Sequence, residues 1–149
     1  GALIHPKTRG PVVDEQCMTP LDGMFACGNS LHVHDLVDFV FAEGQRAGKA
    51  AAAYLSGIRK NSKSIEVKPC GNVSYVLPQK VHALDTKLFY RVKTPMKQCE
   101  VVISSKGKEI KKLRKVSLIP SMMEELSLNQ ELIEQCEDEI IVEVRSWKS

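Results

Sequence analysis

The spacing of the hydrophobic residues changes near residue 60, and this change constrains the fold more than any other feature of the sequence. Before it, the stretch from Leu36 to Gly57 keeps a helix-forming composition, and Gly57 lies where a helix would end. Beyond it, apolar and polar residues alternate with a period of two, as in half-buried strands. The sequence therefore predicts two parts with different secondary structure.

The second part, residues 65–149, is predicted to be an all-β, sandwich-like domain. Alternating segments indicate strands at 73–77, 88–92, 100–104 and 140–147. Leu126 to Leu128 is interpreted as another strand, and 120–125 as one helical turn. Strands at this spacing are typical of sandwich modules, which use about seven. The polar, Lys- and Ser-rich stretch that begins at Ile58 and continues to Lys68 marks the boundary, and residues 58–64 are taken as the linker.

The first part, residues 1–57, starts with turns and short extended pieces. Val12 to Glu15 is expected to be a short strand, and Met24 to Cys27 a brief buried strand that ends at the Gly28-Asn29 turn. Asp35 is interpreted as the N-cap of the long helix that follows. The whole chain is thus expected to have an α+β fold with one long helix and a β-rich C-terminal domain.

Small residues recur at helical spacing along the predicted helix, in the row Gly44, Gly48 and Ala52. Each glycine inside a helix costs about 1 kcal/mol relative to alanine. We therefore expect a sheet or a second helix to pack closely on this face.

The composition excludes several classes of protein. The chain is 43% hydrophobic and 26% charged, as ordinary globular proteins are, and it has no apolar stretch of the roughly 20 residues that a membrane span needs. A formal charge of +3 is too small to predict a nucleic-acid partner. The five cysteines are scattered and form no CxxC pair, which argues against a disulfide framework. Buried, reduced thiols in a cytoplasmic protein are the simplest interpretation.

The HVHD element suggests a metal site, because His32 and His34 lie on one face of an extended segment. The sequence offers no obvious residues to complete such a site, since His5 and His82 are not in ligand-like settings. No metal is therefore predicted, and the two histidines are expected to form a hydrogen-bonded pair or to line a pocket. The basic run from Lys106 to Lys115 contains no aromatic residue to stack on bases and is interpreted as a solvated hairpin rim.

Thr19 to Asn29 is similar to the pattern T-x-x-P-G-[IVF]-[FY]-A-x-G-D, with Asn in place of the final Asp, and Ala42 to Gly48 follows in a helix with small residues. In these two segments the first part resembles the second FAD-binding motif of the pyridine nucleotide-disulfide oxidoreductase superfamily. The stretch Gly1 to Tyr54 is similar to FAD-dependent NAD(P)H dehydrogenases associated with glycerol 3-phosphate oxidation. That group also resembles this chain in having a small β-rich C-terminal domain.

The resemblance implies four cofactor-binding residues. Gly28 would let the backbone approach the FAD pyrophosphate and ribityl chain, and Asn29 would hydrogen-bond a ribityl hydroxyl. The backbone N–H groups of Leu36 and Val37 would face the flavin ring edge. No residue is assigned a catalytic role, and His32 and His34 would lie near the flavin or the domain interface.

Such enzymes have two GxGxxG fingerprints, one for FAD and one for NAD(P), and the sequence contains neither of them. The sequence also starts at Gly1 without an initiator Met, in the middle of a hydrophobic pattern. We therefore expect an inactive C-terminal fragment of an enzyme that uses FAD and NAD(P) to reduce an unknown acceptor or a partner oxidoreductase subunit. The alternative is a non-catalytic β-sandwich interaction module with a helical N-terminal extension.

Overall fold

The strands of the second part form two sheets that share one hydrophobic core. The structure is a computed structural model that describes residues 1–59 and 63–147. Its elements in chain order are a 3-10 turn (Gly28–Ser30), α1 (Val37–Leu55), β1 (Ile65–Gly71), β2 (Val73–Leu77), β3 (Lys80–Val81), β4 (Thr86–Val92), β5 (Met96–Ser105), β6 (Lys108–Leu118), β7 (Glu124–Leu128), α2 (Gln130–Glu134) and β8 (Glu139–Ser146).

The five-stranded sheet has the order β3-β1-β8-β5-β6, and the three-stranded sheet has the order β2-β4-β7. Strands β1 and β8 are parallel, whereas the other paired strands are antiparallel. Alternate residues of both sheets meet in the core, where Leu88 of β4 and Ile140 of β8 are each 0% exposed. The α+β class is confirmed, and the two-sheet arrangement agrees with the predicted sandwich.

Several local predictions need correction. Strand β1 begins at Ile65, so residues 65–68 belong to a strand rather than to the polar connection. The predicted helical turn at 120–125 is a hydrogen-bonded turn, in which Met122 N–H donates to the Ile119 carbonyl, and β7 begins at Glu124. The short helix comes later, at α2, because Asn129 accepts a hydrogen bond from Leu132 N–H and caps its first turn.

The basic run forms the turn and most of β6, which is an edge strand of the five-stranded sheet. Its lysines pair with acidic residues on other strands: Lys112 lies 3.3 Å from Glu100 on β5, and Lys115 lies 3.6 Å from Glu124 on β7 of the other sheet. Charged side chains on an edge strand oppose pairing with another chain. The run is therefore a solvent-facing hairpin rim, as predicted.

The first part of the chain packs on the three-stranded sheet. A second core cluster joins Val13, Leu31 and Phe39 from the first part to Tyr75 and Phe89 on β2 and β4. The extended segment around Val13 also runs alongside the start of β3, with a parallel bridge between Asp14 and Lys80. Val13 N–H donates there to Gln79 Oε1 at 2.9 Å. The expected strand at residues 12–15 forms only one bridge there. The division at 58–64 stays a prediction, because residues 60–62 lie outside the described part.

The residues before α1 differ from expectation. Met24 to Cys27 is not a buried strand, since it forms one isolated bridge, between Phe25 and Met18, and Met24 is 41% exposed. Helix α1 has the predicted extent, but Gly44 and Gly48 face open space within the described chain instead of a close neighbour. In that same part of the chain, neither helix has both the length and the apolar composition to cross a membrane.

Candidate functional site

His32 and His34 converge on the carboxylate of Glu43. The distance is 3.2 Å from His32 Nε2 to Glu43 Oε2 and 3.1 Å from His34 Nε2 to Glu43 Oε1. The three side chains are only 1%, 2% and 4% exposed, and one nitrogen or oxygen atom from each lies within 4.8 Å of those of the other two. We call these three residues the histidine–glutamate cluster.

The cluster forms where the loop before α1 folds back on the helix. Residue 28 allows this turn because it is a glycine with φ +71, a conformation that other residues adopt with strain. The Gly28 N–H donates to Glu43 Oε1 at 2.6 Å, and buried Leu31 anchors the loop in the second core cluster. Both carboxylate oxygens of Glu43, in the second turn of α1, thus bind groups of this loop and hold it on the helix.

The electrostatic environment keeps Glu43 ionised. Burial alone would raise the pKa of this carboxyl, but the hydrogen bonds to His32 and His34 outweigh burial and hold its pKa below the ordinary value. His34 Nδ1 is buried and has no hydrogen-bond partner among the described residues. The cluster therefore holds one buried negative charge beside two imidazole rings.

Two side chains of the three-stranded sheet, Tyr75 and Arg91, hold the histidine–glutamate cluster in place. The Tyr75 hydroxyl, on β2, lies 3.4 Å from His32 Nδ1 and accepts a 2.9 Å hydrogen bond from Arg91 Nε, on β4. Burial raises the pKa of Tyr75, so its hydroxyl stays protonated at neutral pH. Arg91 also donates to the Val33 carbonyl at 2.9 Å. Side chains of the β-rich part therefore fix the ring of His32 and the backbone beside it.

The sequence predicted Asp35 as the N-cap of α1, and this prediction is wrong. Its carboxylate pairs with the Arg91 guanidinium and accepts the Met123 N–H. Burial would raise the pKa of Asp35, but these partners outweigh it and lower that pKa. Leu36 occupies the N-cap position instead, and its side chain makes no capping hydrogen bond. Among the described residues, the first backbone N–H groups of α1 therefore have no side-chain acceptor.

The four predicted cofactor-binding residues lie along this turn and helix start. Gly28 and exposed Asn29 form the 3-10 turn, and Leu36 and Val37 are 58% and 82% exposed at the start of α1. The Asn29 amide oxygen accepts a 3.4 Å hydrogen bond from His34 N–H. Its amide nitrogen is thus the group that would meet a ligand.

Glu43, Tyr75 and Arg91 are site residues that the sequence patterns did not indicate. Glu43 shares the buried face of α1 with Ala47 and Ala50, and an acidic residue at helical spacing from such apolar positions is the signal that could have found it. Tyr75 and Arg91 carried no such signal, since both occupy ordinary alternating strand positions. His82, judged unsuited to ligation, lies 3.0 Å from Glu15 in a second group with Asp14.

Comparison of the chain with protein-family models, with curated proteins and with solved structures gives no match.

Proposed function

We propose that this chain is the C-terminal part of a cytoplasmic, FAD-dependent oxidoreductase that transfers hydride or electrons between NAD(P) and an acceptor or partner oxidoreductase subunit. One observation carries the proposal. The Gly28-Asn29 turn packs on α1, where Gly28 N–H donates to Glu43 Oε1, and it precedes the uncapped start of that helix in the order that the motif requires. The free state of the cysteines, as expected in a reducing compartment, supports the proposed location.

The residues present fit the flavin half of FAD. A methyl group built on Gly28 would meet no atom closer than Val40 Cγ1, at 4.0 Å, so there is open space beside this turn. The start of α1 carries backbone N–H groups and the positive end of the helix dipole, which together favour an anionic or electron-rich group. The exposed side chains of Leu36 and Val37 supply an apolar contact for a ring.

Each residue then has a separate task. The Asn29 amide nitrogen donates to a ribityl hydroxyl, while its oxygen stays on His34 N–H. The backbone N–H groups at Leu36 and Val37 stabilise negative charge at the ring edge, and their side chains exclude water. Bound FAD would supply the acceptor for hydride from the nicotinamide. The histidine–glutamate cluster holds the loop that carries these groups.

The test is the flavin content of the longer polypeptide that the proposal requires. We expect it to purify with the visible absorption of oxidised flavin and to lose most of it when Asn29→Ala removes the ribityl contact. Asn72→Ala, at a half-buried asparagine between β1 and β2 of the sandwich, is the matched control and should leave the flavin content unchanged. Equal flavin content in both variants would remove the assignment of Asn29.

The second candidate is the non-catalytic interaction module. Its support is the outer face of α1, where Val37, Phe41 and Leu55 are 82%, 66% and 86% exposed. A longer polypeptide that stays colourless when supplied with FAD would favour this function over the oxidoreductase.

A further inference from the structure

We propose that His32, His34 and Glu43 bind a divalent first-row transition-metal ion, and that Zn²⁺ is the ion best suited to the site. This proposal does not depend on the flavin proposal, because it concerns only side chains of this chain and can be tested without FAD.

The geometry of the cluster matches a metal-binding site. Zinc binds imidazole nitrogens and carboxylate oxygens at about 2.0–2.1 Å in a tetrahedral arrangement, which places neighbouring ligand atoms roughly 3.3 Å apart. The two nitrogen-to-oxygen distances, 3.2 Å from His32 to Oε2 and 3.1 Å from His34 to Oε1 of Glu43, are close to that separation, and one ligand atom of each residue lies within 4.8 Å of the other two. An ion could therefore bind between the two nitrogens and the carboxylate with small movements of the side chains.

The charge of the cluster also favours a cation. Glu43 is a buried carboxylate whose hydrogen-bond partners are two imidazoles and the Gly28 amide, and none of these partners carries a permanent positive charge. A buried charge is costly unless a group of opposite charge compensates it. A divalent ion between the carboxylate and the rings supplies this compensation directly.

The donor set selects the kind of ion. Two imidazoles and one carboxylate form a set that zinc binds with a fourth position open, whereas Mg²⁺ and Ca²⁺ prefer oxygen ligands alone. Of the two groups that could hold an ion in the described chain, this one has two imidazoles, whereas the group of Asp14, Glu15 and His82 has one. The transition-metal preference therefore points to the histidine–glutamate cluster.

The surrounding residues hold the ligands in place. Metal-binding histidines usually donate their second ring N–H to an acceptor, and the Tyr75 hydroxyl lies 3.4 Å from His32 Nδ1. The Gly28 N–H fixes one oxygen of Glu43. His34 Nδ1 has no hydrogen-bond partner in the part of the chain that the structure describes, so His34 is the ligand whose replacement disturbs the fewest other contacts.

The experiment is a metal titration of the purified chain after chelator treatment. Co²⁺ is followed by its visible absorption and Zn²⁺ by calorimetry and by competition with Co²⁺. We expect one equivalent of metal to bind, and binding to be lost in His34→Gln and in Glu43→Gln. Tyr75→Phe, which removes only the supporting hydroxyl, should weaken binding roughly tenfold. His82→Gln is the matched control in the second group and should bind as the unmodified chain does.

Circular dichroism of each variant separates loss of binding from loss of fold, and X-ray absorption at the zinc edge tests the unmodified chain without any substitution. Two imidazoles and carboxylate oxygen around the ion would support the proposal. Failure to bind metal at stoichiometric concentration would overturn it, as would binding that survives in His34→Gln, binding lost only in His82→Gln, or sulfur among the ligands.

Discussion

Arg91 on β4 forms an ion pair with Asp35, in the loop that leads into α1, and so ties the two parts of the chain together. The two side chains are only 13% and 23% exposed, and the two residues lie 56 positions apart in sequence. The same guanidinium donates to the Val33 and Pro120 carbonyls. This one side chain therefore holds the loop before α1, through Val33 and Asp35, and the turn before β7, through Pro120, against β4 of the sandwich.

Arg91→Met should lower the free energy of unfolding by about 2–3 kcal/mol, because it leaves the Asp35 carboxylate and two carbonyls without their charged donor. Lys87→Met is a matched control on the same strand. Lys87 pairs with Glu125 at 3.7 Å in an exposed setting, and such pairs contribute less than about 1 kcal/mol. Urea unfolding measures both variants. Equal losses would show that the Arg91 pair does not hold the two parts together.

The core between the two sheets gives a second prediction. Ile140→Ala should destabilise the chain by about 2–5 kcal/mol, since Ile140 is 0% exposed and its removal leaves a cavity between the sheets. Val116→Ala removes apolar atoms from a residue that is 76% exposed and should change stability by less than about 0.5 kcal/mol. Thermal unfolding of both variants tests which strand faces form the core.

The cysteines should differ in their reaction with iodoacetamide. Cys70 is exposed and should be alkylated first, and Cys27 is half-buried, so the expectation that all five thiols are buried is wrong for these two. Burial raises the pKa of Cys17 to about 11, so at pH 8 almost none of it is the reactive thiolate. Cys99 and Cys136 are also buried and should stay unmodified in the folded chain.

Mass spectrometry of peptides after a timed reaction identifies the modified thiols, and the same reaction in urea is the control for intrinsic reactivity. If Cys17 were modified as fast as Cys70 under native conditions, the burial of Cys17 in the first part of the chain would be contradicted.

Two glycines should respond in opposite directions to alanine. Gly48 lies inside α1 and faces open space, so Gly48→Ala should stabilise the chain by about 1 kcal/mol. A Cβ on Gly10 would lie 2.0 Å from the Leu31 carbonyl oxygen, so Gly10→Ala should cost at least about 2 kcal/mol. Thermal unfolding measures both. A Gly48→Ala variant that is destabilised would indicate that a partner covers this helix face.

Patterns over a few residues were sufficient for the main elements. The helix over Val37–Leu55 and the strand over Val73–Leu77 could be predicted because their hydrophobic periods are properties of the local sequence. Strand β1 and helix α2 were not predicted. The polar residues around Lys68 obscured the strand, and α2 is only one short capped turn.

The sequence by itself determined the α+β class, the position of the long helix and the two histidines of the loop. Only the tertiary structure decided that both rings meet Glu43, that Asp35 turns from the helix start to Arg91, and that Tyr75 supports His32. The residues in each of these contacts are not related by the repeat of a helix or a strand. Local sequence patterns therefore could not predict the contacts. They form because packing of the first part on the three-stranded sheet buries polar groups, and buried polar groups must find partners.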